Sequence, residues 1–193
     1  MARHISQIAL FAALIAALGL VPKFDLAAGV PITAQSLGVM LAGCLLGARR
    51  GALAVLLFLF LVALGLPLLA GGRGGLGVFM GPTVGFVVGF PVAAFVTGYF
   101  STKWRGSAPV VTTVLAAILG GVVVLYVFGI VGFALVTGQT LAQATSIMWV
   151  FVPGDVVKAG LAGLITESVL RLRPGLVAQG WGRRAGGARL TRM

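Results

Sequence analysis

Residues 110–136 read VVTTVLAAILGGVVVLYVFGIVGFALV, an apolar run with no charged side chain in it. Wound as a helix at about 1.5 Å per residue, the run is about 40 Å long. That exceeds the ~30 Å hydrocarbon core of a bilayer. Its apolar residues surround the helix instead of forming one stripe, which is the mark of a buried or membrane helix.

Five more apolar stretches flank it. The first runs from Ile5 to Val21 and ends at Pro22-Lys23; the second, Ala34 to Gly47, stops at Arg49-Arg50. The third, Ala52 to Ala70, is followed by the glycine-rich segment Gly71-Gly72-Arg73-Gly74-Gly75-Leu76-Gly77. The fourth, Pro82 to Phe100, stops at Lys103-Trp104-Arg105. A polar link, Thr137-Gly138-Gln139-Thr140 with Gln143 beyond it, leads to the sixth, Met148 to Leu170, which stops at Arg171-Leu172-Arg173-Pro174. These stretches predict an all-α integral membrane protein of six transmembrane helices. The second is only about 21 Å long at helical rise, so either the loop before it dips into the membrane or the helix sits inside the bundle.

Composition agrees. The chain has 193 residues, 60% hydrophobic and 9% charged, with a mean hydropathy of +1.14. Soluble domains carry about 25% charge, which excludes an ordinary cytosolic protein. The length suits one membrane domain and is too short for a transporter of twelve spans. There is no repeat of fixed period. We expect a six-helix membrane domain over 1–173 and a basic cytoplasmic tail over 174–193.

The 14 basic residues face three acids, Asp25, Asp155 and Glu167. Threading six spans from a cytoplasmic N-terminus puts 11 of the 14 basic residues on the cytoplasmic side: Arg3, Arg49, Arg50, Lys103, Arg105, Arg171, Arg173, Arg183, Arg184, Arg189 and Arg192. Lys23 and Arg73 are left outside, and Lys158 lies within the last span. The positive-inside rule therefore predicts that both termini are cytoplasmic. A cleaved signal peptide is the competing reading of the first stretch, but removing it would invert this charge pattern. The tail reads as a solvated or lipid-headgroup-binding end. Only Trp181 interleaves its basic residues, so no nucleic-acid partner is expected.

The usual enzyme sets are missing. No G-x-x-x-x-G-K-[ST], H-E-x-x-H, G-x-S-x-G or C-x-x-C occurs. With His4 and Cys44 the lone residues of their types, no metal site, cofactor or catalytic residue is predicted. The conspicuous feature is Pro153-Gly154-Asp155-Val156-Val157-Lys158. Asp155 and Lys158 are three apart and share a helical face. They read either as an internal ion pair or as binding groups for a polar solute. Pro153 suits a first helical turn, whose free N–H groups favour an anion.

Thr33, Gln35 and Ser36 supply neutral donors and acceptors before the short second span. Capping by Thr33 with a solvated Gln35 is the alternative. The glycine-rich segment predicts a lid or re-entrant turn. Gly85 and Gly89 give a weak G-x-x-x-G packing motif. Ala9, Ala13 and Ala17 form a small-residue ridge, with Ala12 and Ala16 beside it, for internal packing or for docking a partner.

Taken together, V-P-I-T-A-Q-S (30–36), G-L-P with A-G-G-R-G-G behind it (65–75), G-P-T-V-G-F (81–86) and P-G-D-V-V-K (153–158) resemble the BioY family over about residues 5–172. These are the biotin-binding S components of bacterial energy-coupling factor (ECF) transporters. The resemblance implies a multi-pass protein of the cell (inner) membrane that captures biotin from outside and works with a membrane-embedded T component and cytoplasmic ATPase subunits. It implies biotin contacts from Thr33, Gln35, Asp155 and Lys158, and docking of the T component on the Ala9/Ala13 ridge. Trp149 could pack on the rings, although no motif carries it over. Two other readings stay open: an S component for another vitamin, and a structural membrane subunit whose Asp155–Lys158 pair binds nothing.

Overall fold

The computed structural model describes residues 2–25, 30–104 and 109–172. The expected basic tail and Arg105 lie outside the described residues. Within them the chain forms six helices: α1 Ala2–Leu18, α2 Gln35–Leu46, α3 Ala48–Ala63, α4 Val84–Lys103, α5 Pro109–Thr137 and α6 Leu141–Leu172. A short antiparallel ladder joins β1 (Phe24–Asp25) to β2 (Pro31–Ile32). Helix α5 widens to a π-turn at Leu119–Val124, and α6 tightens to a 3-10 turn at Trp149–Phe151. Helices α4, α5 and α6 are each long and apolar enough to cross a membrane, while α1 and α2 are shorter. Large apolar side chains such as Phe60, Leu135 and Leu164 point out of the bundle, as suits a protein whose solvent is lipid.

Helix α2 decides the layout. Every residue of this 12-residue helix except Leu37 is buried, and it packs against α1, α3, α4, α5 and α6. Of the two explanations for its shortness, the second is met: the helix is the axis of the bundle and need not span lipid alone. Gly38 lets α1 come in close, since a Cβ there would stand 2.9 Å from Leu18 and 3.0 Å from Ile15. The G-x-x-x-G pair of α4 does the packing anticipated for it. A Cβ on Gly85 would collide with the backbone of Phe128 in α5, and one on Gly89 would stand 2.8 Å from the Phe128 side chain.

Two boundaries differ from the sequence reading. The third apolar run was expected to stay helical to Ala70, but α3 ends at Ala63. Gly65 takes a φ of +102°, Gly65 N–H donates to Val62 O, and Leu66 N–H donates to Leu61 O. That paired pattern is a Schellman stop, with Pro67 following it. The sixth helix starts at Leu141 rather than Met148. Thr140 and Gln143, read as a polar link, form a reciprocal capping box: Thr140 N–H donates to Gln143 Oε1 at 3.0 Å, and Gln143 N–H donates to Thr140 Oγ1 at 3.3 Å.

The alanine ridge is also decided. Ala9, Ala13 and Ala17 are exposed, whereas Ala12 and Ile15 face the core. Internal packing is therefore excluded for the ridge itself.

Candidate functional site

Helices α2, α4, α5 and α6 enclose a cavity with the segment after α3, with about 650 Å3 free of protein atoms counting its open mouth. Phe86 and Phe90 from α4, Leu125 from α5 and Phe151 from α6 make apolar walls, and polar side chains enter from two directions.

One polar cluster centres on Asp155 of α6, which is 8% exposed. Its Oδ1 accepts from Lys158 Nζ at 2.8 Å and from Ser36 Oγ at 3.0 Å, and its Oδ2 accepts from Tyr126 OH at 2.7 Å. Lys158 Nζ also donates to the Thr33 carbonyl at 2.6 Å and to Ser36 Oγ at 3.1 Å. The ammonium thus has three acceptors for its three protons. Leaving either charge without such partners in this setting would be costly. The pair is an internal ion pair and a part of the cavity wall at once, so the two sequence readings are not exclusive. Tyr126 is held edge-on by Phe86, with ring centroids 5.8 Å apart.

The second cluster centres on Arg73, from the glycine-rich segment. Its Nε donates to Ala70 O at 3.2 Å and its Nη1 to Thr83 Oγ1 at 3.4 Å. It pairs with no carboxylate among the described residues. Gly71 and Gly72, with φ of +80° and +70°, turn the chain so that Leu69 and Arg73 bond each other's backbone at 2.9 and 3.1 Å. This tight turn aims Arg73 into the cavity. One acid and two bases give the cavity an excess of positive charge.

The four anticipated residues all border the cavity, but with different duties. Thr33 contributes its carbonyl to Lys158, and its Oγ1 accepts from Gln35 N–H at 3.4 Å. Gln35 is committed to the frame: Nε2 donates to Ile15 O at 3.2 Å and Leu68 O at 3.0 Å, and Oε1 accepts from Ala70 N–H at 3.0 Å. It ties α2 to α1 and to the turn that carries Arg73.

Two readings are overturned. Asp155 was given a free helix N-terminus, but α6 is continuous from Leu141, and Val152 N–H is already bonded to Trp149 O. The bonds around Asp155 come from side chains, not from a helix end. Trp149 is 69% exposed and stands outside the cavity wall; Phe151 is the aromatic that α6 places there.

Arg73 and Tyr126 were missed, and each left a signal. Arg73 is the only charged residue between Arg50 and Lys103, so counting it as a topological marker overlooked how costly an isolated charge is near a bilayer. Tyr126 is the one hydroxyl-bearing aromatic in the apolar run of residues 110–136, and a buried tyrosine hydroxyl needs a partner.

Residues 1–175 match the model of the BioY family. The chain is 51% identical over 190 residues to the biotin transporter BioY of Rhodobacter capsulatus, covering 93% of this chain and 100% of that protein. It is 54% identical over 174 residues to the biotin transporter BioY of Rhizobium etli, covering 87% and 93%. Among solved structures it matches the S-component for biotin from an ECF-type ABC transporter, with a TM-score of 0.85 and 30% identity, covering 94% of this chain and 96% of that one.

Proposed function

This chain belongs to the BioY family, and on that premise we propose that it is the biotin-capturing subunit of a vitamin uptake transporter, not an enzyme. The observation that carries this reading is one apolar-walled cavity that holds a self-neutralising donor–acceptor cluster and, apart from it, an arginine with no carboxylate partner among the described residues. Biotin has a ureido group with two N–H donors and one carbonyl acceptor, an apolar thioether bicycle and a carboxylate at the end of an alkyl arm. In our reading Asp155 accepts a ureido N–H, Lys158 or Tyr126 donates to the ureido oxygen, the phenylalanine walls cover the bicycle, and Arg73 with Thr83 meets the carboxylate. Gln35 and Thr33 act by holding the walls and the lysine.

The reading extends to assembly. The sequence has no nucleotide-binding loop, so ATP-driven uptake takes its energy from separate ATPase subunits through a membrane-embedded T component. The exposed Ala9, Ala13 and Ala17 ridge is the docking face for that component, because small side chains let a second helix approach closely. We further propose six spans in a bacterial inner membrane with both termini cytoplasmic. Reporters active only in the cytoplasm should function when fused near Arg50 and fail near Arg73; the reverse pattern overturns this orientation.

The central test is a titration of the purified chain in detergent with labelled biotin. Saturable binding of one biotin per chain is expected, displaced by unlabelled biotin and not by riboflavin or thiamine. An absence of saturable binding by folded, monodisperse protein would refute the assignment.

A further inference from the structure

A second concave surface shares no lining residue with the cavity, and of the residues that the proposed function uses it takes in only Ala9. It is a groove between α1 and α3, walled by Ile5, Ile8 and Ala9 on one side and by Leu53, Leu56 and Phe60 on the other. Ile5, Leu53, Leu56 and Phe60 are all about half exposed or more. Helical spacing shows what stands at its end. Arg49 precedes Leu53 by four residues and Arg50 precedes it by three, while His4 precedes Ile8 by four, so all three cap the groove. Arg50 Nη1 bridges the two helices there, 2.9 Å from His4 Nδ1 and 3.3 Å from Gln7 Oε1. Arg49 is exposed. Neither α1 nor α3 contains an acidic residue, so neither helix offsets the positive charge at this end.

We infer that this groove binds one anionic phospholipid, with its headgroup at Arg49 and Arg50 and an acyl chain between α1 and α3. Charge and length both select this occupant. The head is basic and the groove below it wholly apolar, which matches an amphiphile with a single anionic end. From Arg49 to Phe60 the helix rises about 16 Å, close to half of the ~30 Å hydrocarbon core and thus the depth of one leaflet. Ala9 is common to the groove and the ridge, whereas Ala13 lies outside the groove, so docking is probed at Ala13 and lipid occupancy at Leu56.

The test uses the full chain in detergent, given equal amounts of phosphatidylglycerol and phosphatidylcholine with identical acyl chains, and native mass spectrometry to count retained lipid. One phosphatidylglycerol per monomer should be retained in preference to phosphatidylcholine. A basic residue near an anionic lipid contributes roughly fivefold. The preference should therefore fall about fivefold in Arg49→Gln and about 30-fold in the variant combining Arg49→Gln with Arg50→Gln. Arg171→Gln, a basic change elsewhere, should leave it intact. Because Arg50 also joins α1 to α3, the exposed Arg49 change and a groove-filling Leu56→Trp serve as independent arms. The latter should release both lipids with the basic end untouched. Equal retention of the two lipids, a preference that survives loss of both arginines, a lipid that stays in Leu56→Trp, or a second polypeptide chain at the site instead of lipid would each overturn the inference.

Discussion

Asp155 and Arg73 both bring charge to one cavity, but they are held in opposite ways. Asp155 is answered by Lys158, Ser36 and Tyr126, all within 3.0 Å of its carboxylate. Among the described residues Arg73 has only a backbone carbonyl and a threonine hydroxyl. The first cluster is neutral in sum and complete without a ligand, so a solute must exchange hydrogen bonds with it one for one. Such a site reads shape and donor–acceptor pattern. The second keeps an uncompensated positive charge and gains outright from an anion. On the proposed function, pattern recognition falls to α6 and charge recognition to the glycine-rich turn.

The strongest way to break this contrast is to unbalance the first cluster. Removing one partner of a desolvated, hydrogen-bonded charge pair costs about 2–5 kcal/mol, or roughly 30-fold to several thousandfold in affinity. Lys158→Ala and Asp155→Asn should each lose most biotin binding in protein that still inserts and purifies. Changing both charges to neutral residues is the control. If the pair only stabilised the bundle, the single variants would be unstable, the double variant would recover, and biotin affinity in the surviving protein would be near normal.

A smaller and more selective effect belongs to Arg73. A hydrogen bond to a charged group contributes about 1.5–3 kcal/mol, or roughly 10- to 150-fold. Arg73→Gln should weaken biotin by that amount and leave the affinity for biotin methyl ester, which has no anionic end, nearly unchanged. Equal losses for acid and ester would mean that the arginine braces the turn and does not meet the carboxylate, and the division between the clusters would fail.

Much of this was legible in the sequence, for physical reasons. Apolar runs long enough to span a bilayer, closed by arginines and lysines, specify membrane helices almost regardless of context. The spacing of Asp155 and Lys158 put them on one face before any contact was known. What the sequence hid was long-range pairing. Tyr126 is 29 residues from Asp155, and Ser36 is 119 away, so no local pattern links them. Short boundary signals were also outweighed by hydropathy: the Schellman stop at Gly65 and the capping box at Thr140 each sit at the edge of an apolar run and move its end by seven residues.

Gln35 tests where the binding region ends and its frame begins. Its amide makes three bonds to the backbone. Gln35→Ala would leave the Ala70 N–H and two carbonyls to find other partners. The larger response should be in thermal stability. Affinity should fall only by the value of a neutral hydrogen bond, about 0.5–1.5 kcal/mol, or roughly 2- to 13-fold. A loss as large as that of Lys158→Ala, in protein of unchanged stability, would move Gln35 from the frame into direct contact with the ligand.

The smallest expected effect on affinity comes from a residue outside the cavity lining. Ala13 is exposed on α1 and touches neither polar cluster nor the α1–α3 groove. A leucine there removes the close approach that a small-residue ridge provides, and it adds its bulk outside the bundle, where nothing needs to shift. Ala13→Leu should therefore bind biotin like the unaltered chain while co-purifying poorly with a T component and its ATPases. The pairing of these two readouts is what makes the test decisive. If binding fell together with assembly, the ridge would be communicating with the cavity through α1, whose Ile15 carbonyl accepts from Gln35, and the separation of capture from docking would be lost. If assembly persisted with binding intact, the partner would be using another face, and the exposed alanines would be lipid-facing only.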